Sequence, residues 1–540
     1  MDMIKRTAIL KCLAAGSLLA AGTMQPFQAL GAGAEKASAS GSIPLRIIAE
    51  SIGARVQWSD SDKQATITRG QKELVIKSGA GGAELVEGRI FVALATIRQG
   101  LEVELDWTQE EGLTISQEDI QTRSSYFVYL LQNGKFAAAK EMMNAKLQQL
   151  LPEQFLQMYW MGNISAFGSP SQLVMLSENK TAVHHNATLG YLTAEKTPLG
   201  ITVRYDSEGK IDDLYMPVMP AGAYQKPSYD NSTQYDEQEL VIGQGENALP
   251  ATLTIPKGDG PFPAVVLVHG SGPSDRDETV GAYKPFRDLA AGLAANHIAV
   301  LRFEKRTMEH TLQSGLNPLF TVKDESVDDA LAGVKTLQGQ SAIDTDQIYV
   351  LGHSQGGMLV PKIVKEDTAG TIAGTIVMAG PSGPLEDLLL QQYERLLERA
   401  KEAKQPTEAL EQQIQIWKQT LTVLKDPQYS ADHVPAGFQL QNAAWWFDFR
   451  NYYAGELAKG QTESMLILQG ENDAQVGMDQ FEGWKQALSG REDISFKSYP
   501  KLNHFFVSTE KPSTGEEYTV PGNIPEDVIS DIAGWINMDK

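Results

Sequence analysis

The chain has 540 residues, 42% of them hydrophobic, and a formal net charge of −22. That excess of carboxylates works against binding to nucleic acid or to anionic membrane surfaces, and the length exceeds what one compact core holds, so two or three domains are expected. There is no Walker loop, dinucleotide fingerprint or Cys/His cluster, so neither a cofactor nor a metal is expected; Gly79-Ala80-Gly81-Gly82 reads as a hairpin loop.

Residues 1–34 read as a secretory signal peptide. Lys5-Arg6 supplies the positive start, an apolar run extends from Ala8 to Ala21, and small residues end at Ala32-Gly33-Ala34. The run is short for a membrane span and contains glycine and serine. Its Cys12 is the only cysteine, and Lys11 before it spoils a lipoprotein signal. The mature chain is therefore expected to be exported, secreted or associated with the bacterial cell envelope, with no disulfide, no thiolate chemistry and no membrane span.

Residues about 40–118 contain two imperfect half-repeats. Ile43 to Glu50 is followed by Val56-Gln57-Trp58, and Phe91 to Ile97 by Val103-Glu104-Leu105-Asp106-Trp107. Each predicts a short amphipathic helix, a glycine and an alternating strand. The segment resembles the copper amine oxidase N-terminal-like stalk domain of exported proteins. It holds no histidine, so the resemblance implies spacing or cell-envelope association rather than copper binding.

Residues about 122–222 predict helices from Ser125 to Leu151, then alternating strands around Gln172–Leu176, His184–Leu189, Gly200–Tyr205 and Ile211–Tyr215. Helices ahead of a curved antiparallel sheet make a small α+β domain. It is similar to the NTF2 or cystatin class. Pro217 to Glu237, rich in Pro, Gly, Tyr, Ser and Asn, reads as a linker.

From about residue 236 the pattern becomes α/β. The apolar run Ala264–Val268 opens into His269-Gly270-Ser271-Gly272, where glycines let backbone N–H groups face a ligand. Asp275, Arg276 and Asp277 lie beside this loop. Glu304-Lys305-Arg306 ends a further strand and reads as a structural ion-pair cluster under a site rim. The run Gln347–Leu351 leads into Gly352-His353-Ser354-Gln355-Gly356, followed by the helical Met358–Val364. A serine at such a tight strand-to-helix turn is thrust out of the backbone, and the first helix amides point at the same spot. Residues 383–455 interrupt the alternation with two helices and the aromatic run Trp445-Trp446-Phe447-Asp448-Phe449, the place for a lid. Trp445, Trp446 and Phe449 are candidates for a substrate pocket, with a satellite core as the competing reading.

The apolar strand Ser464–Gln469 then precedes Asp473, favoured over Glu471 as an orienting acid. His504 follows the last strand, Phe496–Tyr499. Among eight histidines only His504 has this order and setting. His184 and His185 point to opposite faces of a strand, His297 lies at a helix end, His310 and His433 lack a strand-end context, His353 packs inside the elbow and His269 holds its own loop.

These stretches, with Lys284 to Ala290 and Leu301 to Arg306, resemble the α/β-hydrolase fold. More narrowly they resemble secreted bacterial esterases related to the C-terminal domain of acyl-CoA thioester hydrolases and bile-acid acyltransferases. The resemblance implies a mostly parallel sheet with helices on both faces, and a Ser354–Asp473–His504 triad. It implies oxyanion donors in the amides of Gln355 and Ser271, with Gly270 as the alternative to Ser271. The expected activity is an exported serine carboxylic-ester hydrolase acting on small-molecule, short-acyl esters. Thioesterase or acyltransferase, peptidase, and a non-enzymatic envelope-binding protein are the rivals.

Overall fold

The computed structural model describes residues 42–79, 83–86, 89–108, 112–218, 222–438 and 440–538. The expected signal peptide lies outside the described residues. The rest divides into two compact units near residue 220.

In the first unit the two half-repeats pair with each other. Ser42–Pro44 runs antiparallel to Arg89–Ala93, with Ile43 opposite Val92. Each short strand turns into a helix, Leu45–Ser51 or Leu94–Leu101, and then into a tryptophan-bearing strand, Arg55–Ser59 or Leu105–Thr108. Ile43, Leu45, Ile48, Ile97, Leu101 and Val103 close one core between the repeats.

Four helices follow, Ile120–Gln132, Phe136–Glu141, Ala145–Leu150 and Glu153–Phe167, then a four-stranded antiparallel sheet of Pro170–Lys180, His185–Thr193, Pro198–Tyr205 and Ile211–Val218. Asp119 caps the first helix by accepting from Thr122 N at 2.9 Å, and Asn144 caps the third by accepting from Leu147 N at 2.8 Å. The fourth helix was not expected from the sequence. Its apolar residues do not form one stripe: Leu156 and Trp160 are buried while Phe155 and Met158 face solvent.

The second unit is built on an eight-stranded sheet. Its strands are β1 (Tyr235–Ile242), β2 (Leu249–Pro256), β3 (Phe262–Val268), β4 (Ala299–Phe303), β5 (Ile343–His353), β6 (Ile372–Met378), β7 (Ser464–Gly470) and β8 (Ile494–Tyr499). Their order is β1-β2-β4-β3-β5-β6-β7-β8; β1 and β2 are antiparallel and every pair from β4–β3 onward is parallel. Because β3, β5, β6 and β7 are covered on both faces, they are apolar runs rather than alternating ones. Val266, Val268 and Val350 face one core and Val265, Leu267 and Leu351 the other. This is the expected α/β architecture. Parallel pairing brings the carboxyl ends of β3, β5, β6 and β7 to one edge, where ligands bind in such sheets.

Candidate active site

The elbow stands at the end of β5. Ser354 has φ 53° and ψ −119°, a conformation that L side chains rarely adopt and that costs about 1–3 kcal/mol. The surroundings enforce it. Ser354 N donates to Met378 O on β6 at 2.9 Å, and Met358 N returns to Ser354 O at 3.0 Å as the helix Gln355–Glu366 begins. Gly352 and Gly356 are needed for close approach: a methyl group on Gly352 would overlap the Gly356 backbone, and one on Gly356 would overlap the Val268 carbonyl. The Gln355 N–H opens the helix and has no intrahelical acceptor.

The acid and base loops meet behind the elbow. Asp473 follows β7 and is 8% exposed, whereas His504 follows β8 and is 2% exposed. His504 Nδ1 lies 2.7 Å from Asp473 Oδ2. An ionised carboxylate only accepts, so Nδ1 carries the proton and Nε2 is left to receive one. Gln469 Nε2 donates to the same Oδ2 at 3.2 Å, and Gln475 N and Val476 N donate to Oδ1 at 2.7 and 2.9 Å. The carboxylate is thus buried but fully hydrogen-bonded. Asn503 shapes the base loop by accepting from Phe505 N and Val507 N at 3.1 and 3.0 Å.

His353 joins elbow and base loop. Its Nε2–H donates to the His504 carbonyl at 2.9 Å, and the two rings sit 4.8 Å apart. Its Nδ1 pairs with Glu278 Oε2 at 3.0 Å. Burial alone would lower the His353 pKa, but the Glu278 carboxylate outweighs it and the net direction is up. Burial raises that of Glu278, and His353 outweighs it, so the net direction is down. Each group therefore favours the charged form of the other. His269, by contrast, is lowered to about 4 by burial and stays neutral. It holds its own loop, as expected, with Nε2–H donating to Asp275 O at 3.0 Å.

The oxyanion segment packs directly on the elbow. A methyl group on Gly270 would stand 3.1 Å from Ser354 Cβ. One expectation is corrected here. Gly270 N–H donates to Glu278 Oε1 at 2.7 Å, so it is already committed to a buried carboxylate and is no oxyanion donor. The Ser271 N–H meets no acceptor among the described residues. The ion-pair cluster expected at Glu304-Lys305-Arg306 is present: Arg276 Nε reaches Glu304 Oε1 at 2.7 Å, Lys305 Nζ reaches Glu325 Oε1 at 2.7 Å, and Arg306 pairs with Asp329. Burial, with Asp275 nearby, raises Glu304 to about 7 against the pull of Arg276.

The insertion between β6 and β7 carries the helices Leu385–Glu402, Glu408–Leu424 and Ala443–Phe449. The three aromatic pocket candidates divide. Phe449 is 2% exposed in the main core, which corrects its pocket assignment: it holds the helix down. Trp446 packs edge-on against Trp417 and Trp445 at 5.6 and 4.9 Å. Only Trp445 is tied to the site, its indole N–H donating to Glu325 Oε2 at 2.6 Å. Glu278 and Glu325 were not singled out from sequence, and Lys305 only as a member of the Glu304–Arg306 ion-pair triplet. Their one signal is a charged residue in or beside a segment that otherwise folds into the core.

The alpha/beta hydrolase family profile matches residues 265–514, and that of the copper amine oxidase N-terminal domain matches residues 41–116. Esterase EstD of Thermotoga maritima is 34% identical over 415 residues, covering 76% of this chain and 93% of that protein. Among solved structures, an esterase of Pyrococcus furiosus is similar at 15% identity, covering 59% of this chain and 98% of that one, with a TM-score of 0.36. A puromycin-hydrolyzing peptidase of Mycobacterium tuberculosis is similar at 15% identity, covering 68% of this chain and 48% of that one, with a TM-score of 0.37.

Proposed function

The chain belongs to the alpha/beta hydrolase family and is a hydrolase; on that premise we propose that it is an exported serine carboxylic-ester hydrolase acting on small, short-acyl esters. The observation that carries this reading is the buried 2.7 Å bond between His504 Nδ1 and Asp473 Oδ2, on a loop whose carbonyl is bonded to the residue beside Ser354. That bond orients the imidazole with Nε2 ready for a proton.

Ser354 Oγ attacks the ester carbonyl as its proton passes to His504. The carbonyl electrons move onto oxygen, which rests on the amides of Gln355 and Ser271. Collapse of this intermediate expels the alcohol, protonated by His504, and leaves an acyl-Ser354 ester. Water then adds by the same steps and releases the acid. Asp473 stabilises the imidazolium formed in each half-reaction.

Export rests on the residue pattern of 1–34, and envelope association on the likeness of residues 41–116 to the copper amine oxidase N-terminal domain. The NTF2-like or cystatin-like assignment rests on helices ahead of an antiparallel sheet. The test is turnover of matched p-nitrophenyl ester, thioester and p-nitroanilide substrates by wild-type and Ser354→Ala protein. The proposal expects ester to be the best substrate and Ser354→Ala to lose nearly all turnover while remaining folded. Preferred turnover of the thioester or anilide, or intact activity in the variant, contradicts it.

A further inference from the structure

We propose that Lys305 is a positioning residue that orients and polarises the Gly270–Ser271 peptide, and that the lid reaches the oxyanion site through it. The proposal rests on the serine-hydrolase reading above. Lys305 lies just beyond β4 and is 1% exposed. Its Nζ donates to Gly270 O at 2.7 Å and pairs with Glu325 Oε1 at 2.7 Å. Glu325, 6% exposed, accepts on its other oxygen from Trp445 Nε1 at 2.6 Å and from Gln355 Nε2 at 3.4 Å. One buried ion pair therefore touches the oxyanion loop, the side chain of the residue after the nucleophile, and the lid.

The consequence follows from peptide geometry. The Gly270 carbonyl and the Ser271 N–H belong to one trans peptide unit and point in opposite directions. A side chain that fixes the carbonyl fixes where the N–H points. Glu278 Oε1 holds the preceding amide, Gly270 N–H, at 2.7 Å, so both peptides flanking Gly270 are gripped by buried charged groups of opposite sign. Rotating the Gly270–Ser271 peptide would leave the Lys305 ammonium without this acceptor in a buried site, which opposes a flip. An ammonium on the carbonyl also draws electron density from the peptide nitrogen and makes the Ser271 N–H a stronger donor. Lys305 thus acts on the oxyanion through a peptide, without touching substrate.

Glu325 sits in the π-helical turn Lys323–Val327. Such turns frequently occur at functional sites. Through Trp445, the position of the helix Ala443–Phe449 bears on the partner of Lys305, so the seating of that helix and oxyanion alignment are linked.

The experiment compares wild type, Lys305→Met, the double variant Lys305→Met/Glu325→Met, and Ser354→Ala in the full chain. Steady-state kinetics on p-nitrophenyl acetate are read with inhibition by an aryl trifluoromethyl ketone. That ketone adds Ser354 Oγ to its carbonyl carbon, passes the serine proton to His504 and places an oxyanion on the same amides. Replacing both members of a buried pair by apolar residues is often neutral for stability, so the double variant separates folding from catalysis. Both Lys305 variants are expected to lose about 100-fold in kcat, the scale of losing one oxyanion donor. KM should stay within about threefold, ketone affinity should fall in parallel with kcat, and the double variant should melt near the wild-type temperature. A double variant with wild-type kcat, a loss confined to KM, unchanged ketone affinity, or a double variant that fails to fold overturns the proposal. Ser354→Ala separates the two readings: if it retains turnover the esterase assignment itself fails, whereas a dead Ser354→Ala beside a fully active double variant removes only the role of Lys305.

Discussion

Asp473 and Glu278 are both buried carboxylates at the site edge, and their partners give them different work. Asp473 accepts four hydrogen bonds, one of them from the His504 imidazole. Asp473→Asn keeps the shape but favours the wrong imidazole tautomer, so kcat on a p-nitrophenyl ester is expected to fall about 10⁴-fold with little change in melting temperature; a fall under tenfold contradicts its role. Glu278 contributes through the His353 ion pair, and removing one member leaves a buried charge, at a cost of about 3–5 kcal/mol. The pH dependence has a defined sign. His353 is raised, so its contribution is complete below the ordinary histidine range and is lost as pH climbs through its folded value. Glu278 is lowered, so its contribution is present above the ordinary carboxylate range and is lost as pH falls. The stability gap between wild type and Glu278→Gln is therefore widest at intermediate pH and narrows on both sides. Urea unfolding across the pH range measures this, and a pH-independent gap contradicts the ion pair.

At the level of elements, the site depends on strand ends brought together by backbone contact. The acid and base loops lie so close that a methyl group on Gly470 would overlap the Leu502 carbonyl. Glu471 N and Asn472 N donate to Tyr499 O and Leu502 O at 2.9 and 3.1 Å, completing that seam. Gly470→Ala is expected to push Asp473 and His504 apart and lower kcat at least about tenfold, the result of misplacing a catalytic group by about an ångström; kinetics matching wild type would show that the seam is slack. Much of this was legible beforehand. The runs Ala264–Val268, Gln347–Leu351 and Ser464–Gln469 are apolar because they are covered on both faces, and each announces a loop where Ser271, Ser354 or Asp473 stands. The partners of Glu278, Lys305 and Glu325 were not legible. They come from distant segments, and an ion pair between such segments leaves no periodicity in the sequence. Gly270, the alternative to Ser271, could not be set aside from sequence, since its amide is taken by a carboxylate on the far side of its own loop. Phe449 was left between pocket and core because an aromatic run looks alike in either setting.

Over the whole molecule, burial raises Glu386 and, furthest, three other carboxyls of the hydrolase unit: Asp288 and Asp329 to about 6 and Glu304 to about 7. Each makes the folded state bind more protons than the unfolded chain above about pH 4, so each loses stability as pH rises through 4 to 7. Neutral His269, lowered to about 4, acts the other way over 4 to 6.5, and the lowered Glu239, Asp277, Glu278 and Asp493 act the other way mainly at and below the ordinary carboxylate range. With a net charge of −22 adding self-repulsion at higher pH, the melting temperature of wild type is expected to be highest at mildly acidic pH and to decline toward pH 8. Scanning calorimetry across pH 4–9 tests this, and a melting temperature that climbs steadily to pH 8 contradicts it.

The central claim is that Ser354 is the acylated nucleophile of a triad completed by Asp473 and His504. It is tested most directly by treating the full chain with a fluorophosphonate and mapping the adduct by peptide mass spectrometry. The account predicts one phosphonylated residue, Ser354, formed in step with loss of ester hydrolysis and slowed strongly in His504→Ala. An unmodified Ser354 in inactivated protein, or an adduct on any other residue that tracks the loss of activity, contradicts it.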